Sequence, residues 1–142
     1  MAFDQSAALP FRVSAVRQLE ILLITSRNRG RWIIPKGGVE PNLTPHASAA
    51  KEAWEEAGVR GAISAMEIGS YWHQKIATNG AVKQLQVVVY PLAVDYVSDQ
   101  WDDMTIRRRN WFAPAEAIQI VDEAGLREII ADFVALPGGN GS

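Results

Sequence analysis

Three glutamates, Glu52, Glu55 and Glu56, crowd one helical turn inside the run from Gly37 to Val59, and no other feature narrows the chain's possible folds so far. On a helix, residues three and four apart share a face, with Cβ atoms about 5–6 Å apart. Carboxylates placed so closely repel one another unless a cation lies over them, and a hard divalent ion that takes oxygen ligands is the natural candidate. A solvated acidic face would explain the triplet alone, but its surroundings point elsewhere. Trp32-Ile33-Ile34 is a short apolar run of strand type. Pro35-Lys36-Gly37-Gly38 breaks it, and paired glycines adopt backbone angles closed to other residues. Thr44 before Pro45 combines an N-cap hydroxyl with a first-turn proline. Gly58 stands where a C-terminal cap belongs. Strand, glycine loop and capped acidic helix make an architecture suited to phosphate and metal.

These residues resemble the signature of the Nudix hydrolases: Gly, five residues, Glu, seven residues, Arg-Glu, an apolar residue, any residue, Glu-Glu, any residue, Gly and an apolar residue. Gly37, Glu52, Ala53, Glu55, Glu56, Gly58 and Val59 fall in register. Leu43 replaces the first Glu, and Lys51 replaces the Arg. In the family that outer Glu supports the metal site from its edge, and the Arg pairs with a neighbouring carboxylate. The two departures imply an altered metal affinity around an intact Glu-x-x-Glu-Glu core.

Similarity extends from about residue 11 to residue 121 toward one branch. Ser26-Arg27-Asn28-Arg29-Gly30-Arg31-Trp32-Ile33-Ile34-Pro35 and Arg107-Arg108-Arg109-Asn110-Trp111-Phe112 look like segments of diphosphoinositol polyphosphate phosphohydrolases and their diadenosine-polyphosphate-cleaving relatives. The resemblance implies an α+β fold, an α/β/α sandwich with a mixed sheet between helices, and a magnesium or manganese cofactor. It implies that Glu52 and Glu56, with the backbone carbonyl of Lys36, hold the metal and that Glu55 is the general base. On the substrate's phosphates it implies Arg12, Ser26, Arg27, Asn28, Lys83, Arg107 and Arg109, with Gly37 and Gly38 at the loop. Arg27 and Arg109 are the expected clamps, because arginine's planar fork contacts phosphate bidentately. Since only alternate strand residues share a face, Arg107 and Arg109 can line the site together, or Arg108 alone. The chain has Lys36-Gly37-Gly38 where the branch has Gly-Gly-Gly. It offers only Lys75 and Lys83 where the branch has a dense basic cluster, which weakens the case for a highly anionic inositol pyrophosphate.

Composition agrees with one small enzyme. A chain of 142 residues fits a single domain, with its core over residues 11–136 and an expected disordered tail at 137–142. No apolar run approaches the roughly 18 residues that span a membrane, and the start lacks the pattern of a secretory signal. The chain has no cysteine, which removes disulfides and thiolate metal sites and makes a cytoplasmic enzyme the default. A net charge of −2 argues against bulk nucleic-acid binding. The partner expected is an anionic, phosphorylated small molecule, and the chain is a monomer or a homodimer.

Residues 11–16 and 19–25 read as paired strands with a turn near Arg17-Gln18, and residues 62–72 as mostly extended. The β-branched run in residues 84–94 is the best central strand. Residues 107–112 read as a further strand, 114–120 as a short helix, and 123–136 as a longer one with Ile129, Ile130, Phe133 and Val134 on its apolar face. His46 and His73 read as surface or structural residues, Trp32, Trp54 and Trp111 as core or site wall. Ser26 and Ser48 have no partners that would make a nucleophile. Three functions fit: hydrolysis of dinucleoside or diphosphoinositol polyphosphates, hydrolysis of another nucleotide derivative such as a sugar nucleotide or noncanonical triphosphate, and non-catalytic nucleotide sensing. The intact glutamates argue against the third, and the resemblance to the branch favours the first.

Overall fold

The computed structural model describes residues 3–136, so the expectation for the tail lies outside the described residues. In chain order the elements are β1 (Gln5–Val13), β2 (Leu19–Thr25), β3 (Trp32–Ile33), β4 (Lys36–Gly38), α1 (Pro45–Ala57), β5 (Val59–Ile63), β6 (Gly69–Ile76), β7 (Val82–Val97), β8 (Arg109–Phe112), α2 (Pro114–Ile120) and α3 (Ala124–Ala135). Successive strand residues point to opposite faces of a sheet, and here both faces are apolar. Ala7, Leu9, Ile21, Leu23, Val87 and Val89 are buried on one side, and Ala8, Leu22, Ile24, Val88 and Tyr90 on the other. A sheet apolar on both faces needs a layer on each. α1 covers the second face through Ala49, Ala53 and Ala57, while α2 and α3 cover the first through Ala117, Leu126, Ile130 and Phe133. The result is the expected α/β/α sandwich.

The sheet is mixed. Its strands run β3-β2-β1-β7-β5, with β4 also paired to β1, β6 to β7 and β8 to β2. β1 and β7 are parallel neighbours, and the other pairs are antiparallel. Among the described residues no helix is long and apolar enough to cross a membrane.

Several boundaries depart from the sequence reading. β1 starts at Gln5, because Ser6-Ala7-Ala8-Leu9 is flanked on both sides and shows no polar alternation. The extended stretch over residues 62–72 is two strands separated by a bend, and β7 runs on to Val97. β8 begins at Arg109; Arg107 belongs to the preceding turn, where its N–H donates to Asp103 O at 3.0 Å.

That turn anchors the acidic helix. α1 is capped at its start by Thr44, whose hydroxyl accepts from Ala47 N, and at its end by Gly58 with φ 67°. Its last carbonyls are then satisfied from the segment after β7. Asp103 N donates to Glu55 O at 3.1 Å and Ser98 N to Gly58 O at 2.8 Å. Arg109 donates through Nη1 to Ala57 O at 2.7 Å and through Nη2 to Ser98 O at 2.6 Å, lying 3.8 Å over the Trp101 ring. Removing a charged donor leaves partly buried acceptors unpaired, so Arg109→Met is expected to lower unfolding free energy by about 1.5–3 kcal/mol in a urea titration. Unchanged stability with a selectively raised KM would return Arg109 to the role of phosphate clamp.

Candidate active site

α1 brings its carboxylates up against the glycine loop. Ser48 is fully buried on α1 and ties the two together, its hydroxyl donating to Gly38 O at 3.3 Å and accepting from Glu40 N at 3.2 Å. At Gly37 the approach is so close that a Cβ would lie 2.5 Å from the Glu52 carboxyl carbon, so any side chain there displaces Glu52. Next along the loop, the Lys36 N–H donates to Glu56 Oε1 at 3.2 Å. The amide of Lys36 thus stands on the acidic cluster. Burial lowers the Lys36 ammonium pKa, against the raising influence of Glu123 and Glu56.

Glu56 is the innermost acid, with a side chain 12% exposed. Burial raises its pKa from about 4.5 to about 7, opposed first by the Arg107 guanidinium. Arg107 is itself buried: Nη2 lies 3.5 Å from Glu56 Oε2, Nε donates to Asp103 Oδ2 at 2.8 Å, and Nη1 donates to Thr25 O at 3.1 Å. The Glu52 pKa is raised too, first by burial and further by Glu55, against a side-chain hydrogen bond that Glu52 accepts from protonated Glu56. Glu55 stands further out, and Lys51 divides itself between Glu40 at 2.7 Å and Glu55 at 4.0 Å.

This donor set fits a hard divalent ion. Among the described residues no three acidic or imidazole groups close on one point. Glu52 and Glu56 therefore offer two carboxylates, each with its pKa raised first by burial. Magnesium is commonly bound by one or two carboxylates, with water and substrate phosphates completing its shell.

The other expected residues divide. Ser26, Arg27 and Asn28 line a cavity of about 400 Å³ beside β6 and the α2–α3 connection. Ser26 and Arg27 also line a second cavity, of about 280 Å³, whose wall includes Arg107 and Arg108. Arg27 thus stands where the cavities meet, and it forms no ion pair among the described residues. Arg12 lies far along β1 from the loop, pairing with Glu20 at 2.8 Å and stacking 3.9 Å over Trp111. Lys83 sits on the β6–β7 hairpin opposite Lys75 and is exposed. Neither Arg12, Lys83 nor Arg109 is brought to the carboxylates. Two residues passed over in sequence matter here, Asp103 as the anchor of Arg107 and Glu123, held by His73 on the cavity wall, and Ser48, set aside there as a nucleophile, is the strap.

The raised Glu56 pKa has a stability consequence of definite sign. Below about pH 4.5 the group is protonated both folded and unfolded, and contributes nothing. Between about 4.5 and about 7 only the folded chain keeps the proton, so metal-free stability falls as pH rises. The full loss, on the order of 3 kcal/mol, is present above pH 7. Urea unfolding with chelator at pH 5 and pH 8 is expected to show this loss in the native chain and much less in Glu56→Gln. Equal pH dependence in the two proteins contradicts it.

Comparison with known proteins agrees with this geometry. The NUDIX domain family model matches residues 8–133. Rat diphosphoinositol polyphosphate phosphohydrolase 2 is 34% identical over 120 residues, covering 82% of this chain and 62% of that protein. Bovine diphosphoinositol polyphosphate phosphohydrolase 3-beta is 33% identical over 120 residues, with 82% and 68% covered. The chain thus spans about three fifths to two thirds of these relatives. Among solved structures, a C. elegans Ap4A hydrolase superposes with a TM-score of 0.66 at 23% identity, over 95% of this chain and 98% of that one. A NUDIX hydrolase from Nitrosomonas europaea gives 0.68 at 21% identity, over 99% and 92%. These structural likenesses establish the fold. The family match reaches from within β1 to within α3, taking in the glycine loop and the acidic helix between them, and the chain belongs to the Nudix hydrolase family.

Proposed function

We propose that this is a single catalytic domain hydrolysing phosphoanhydride bonds in a small anionic substrate, a dinucleoside polyphosphate or a diphosphoinositol polyphosphate. The observation that carries the reading is the Glu52–Glu56 pair beneath Gly37, linked through Arg107 to a cavity wall that also holds Arg27. Glu52 and Glu56 would hold magnesium or manganese, which supplies charge neutralisation at phosphate oxygens and a more acidic water. Water attacks phosphorus, the bridging P–O bond breaks, and the water's proton passes to a carboxylate. Glu55 suits that last role, because its side chain is 34% exposed against 12% for Glu56. Ser26, Arg27 and Asn28 receive phosphate oxygens at the cavity mouth. A chain without cysteine fits a cytoplasmic setting.

The test is phosphate release with magnesium and with manganese, on diadenosine polyphosphates, inositol pyrophosphates, sugar nucleotides and nucleoside triphosphates. Activity is expected on the first or second group. Glu56→Gln should lower turnover at least about 100-fold while the fold survives, because a charged metal ligand is lost. Near-normal turnover in that variant removes the metal-site assignment, and silence of the native protein across the panel removes the hydrolase reading. Arg27→Ala should raise KM more for a five-phosphate than for a two-phosphate substrate. An equal rise for both speaks against a clamp there.

A further inference from the structure

We propose that Ser6 is a positioning residue of the cation site: its hydroxyl receives a hydrogen bond from a water that a divalent ion on Glu52 carries. This rests on the metal-site part of the reading above and deepens it. Ser6 lies on β1 and is fully buried, and among the described residues its Oγ has no hydrogen-bond partner. Most buried hydroxyls find one, so an unpaired one calls for a reason. Ser48, equally buried, shows the usual case, since its hydroxyl meets both Gly38 O and Glu40 N.

The register of the sheet decides what Ser6 faces. Strand residues alternate between the two faces, so Ser6 shares the α1 side with Ala8, which packs there against Ala49 and Ala53. Across the β1–β4 ladder Ser6 stands directly opposite Gly37. Such a pair points the same way, with Cβ atoms about 4.5–5.5 Å apart. Gly37 has no Cβ, and the Glu52 carboxylate takes up the place of one, its carbon and oxygens 2.5, 2.6 and 2.8 Å from that point. The Ser6 hydroxyl is therefore a neighbour of Glu52, yet the two form no direct hydrogen bond. On its other side Ser6 pairs with Val88, whose buried side chain has no polar atom to offer. The space beside Glu52 is where the hydroxyl can be satisfied. Magnesium held by one or two carboxylates keeps several waters. A water in that shell, its lone pair on the ion, acts as a donor, and a serine oxygen accepts. Ser6 then fixes one water and, through it, the place of the ion against Gly37. No base lies within hydrogen-bond reach of Ser6, so it is not a nucleophile.

Manganese binding, measured without substrate or turnover, tests this. Free manganese is followed by its paramagnetic resonance as the native protein and Ser6→Ala are titrated, and both chains are unfolded by urea in chelator. Ser6→Ala is expected to bind manganese at least about tenfold more weakly, as when a partner of a metal's shell is lost. Without the metal it should be as stable as the native chain or more so, because no protein hydrogen bond is removed and an unpaired buried hydroxyl is. A hydroxyl that served packing alone would leave manganese affinity untouched, and equal affinity overturns the proposal. So does a Ser6→Ala chain clearly less stable in chelator, since the hydroxyl then has a structural partner. A native protein that binds no manganese loses the metal-site reading and this proposal with it. If manganese binds and Ser6→Ala weakens it, but no substrate is cleaved, Ser6 keeps its place and only the catalytic role falls.

Discussion

Glu56 is a carboxylate held out of water, and much of the surrounding structure follows from that. A buried charge needs a partner, and removing one member of such a pair typically costs about 3–5 kcal/mol. Here the partner is Arg107, which must be buried in turn and so must also be satisfied. Asp103 and the Thr25 carbonyl do this, binding the segment after β7 to the end of β2. The same segment supplies Asp103 N, Ser98 N and, through β8, Arg109 to the last carbonyls of α1. The helix that presents the acid and the turn that neutralises it thus hold each other.

Neutralisation stops short of balance. The Arg107 guanidinium, one backbone amide and, less strongly, the Lys36 ammonium act on Glu56, yet burial still raises its pKa, and Glu52 beside it is raised by burial too. The alanine stripe of α1 and the bare backbone at Gly37 let these groups come closer than larger side chains would allow. A pair of partly buried carboxylates with few fixed ligands favours a cation that keeps water, one to which substrate phosphates can add. Stability is given up to build such a site, as is usual where pKa values are displaced for chemistry.

How much of this is legible in the sequence depends on how local each feature is. The span of α1 reads off Thr44-Pro45 and Gly58, because caps act within one turn, and β2 and α2 read equally well. The first half of β1 does not, since alanines with a proline show neither β-branching nor alternation, and pairing with β4 and β7 makes them a strand. Arg107 in the turn and Arg109 at the start of β8 both reach α1, and Arg108 between them lies over Trp32. Strand alternation does not tell that Arg107 ends on a carboxylate and Arg109 on helix carbonyls, because that depends on how the turn over residues 98–108 folds back. Glu123 and His73 are fifty residues apart in the chain, and only the packing of α3 beside β6 joins them.

The two departures from the family signature become intelligible in the same terms. Lys51 occupies the arginine position but lies on the surface, where Glu40 at 2.7 Å holds it and raises its pKa. A surface pair of that kind contributes little, so Lys51 does not do for Glu56 what a buried guanidinium would. Arg107 does, from an element outside the signature. Near Leu43, Glu40 supplies a carboxylate that acts on Glu52. The chemistry of the site asks for charges at places in space, and this chain meets part of that demand from positions a linear pattern does not inspect. Departures within the pattern then say less about loss of activity than the contacts of the residues that stand in.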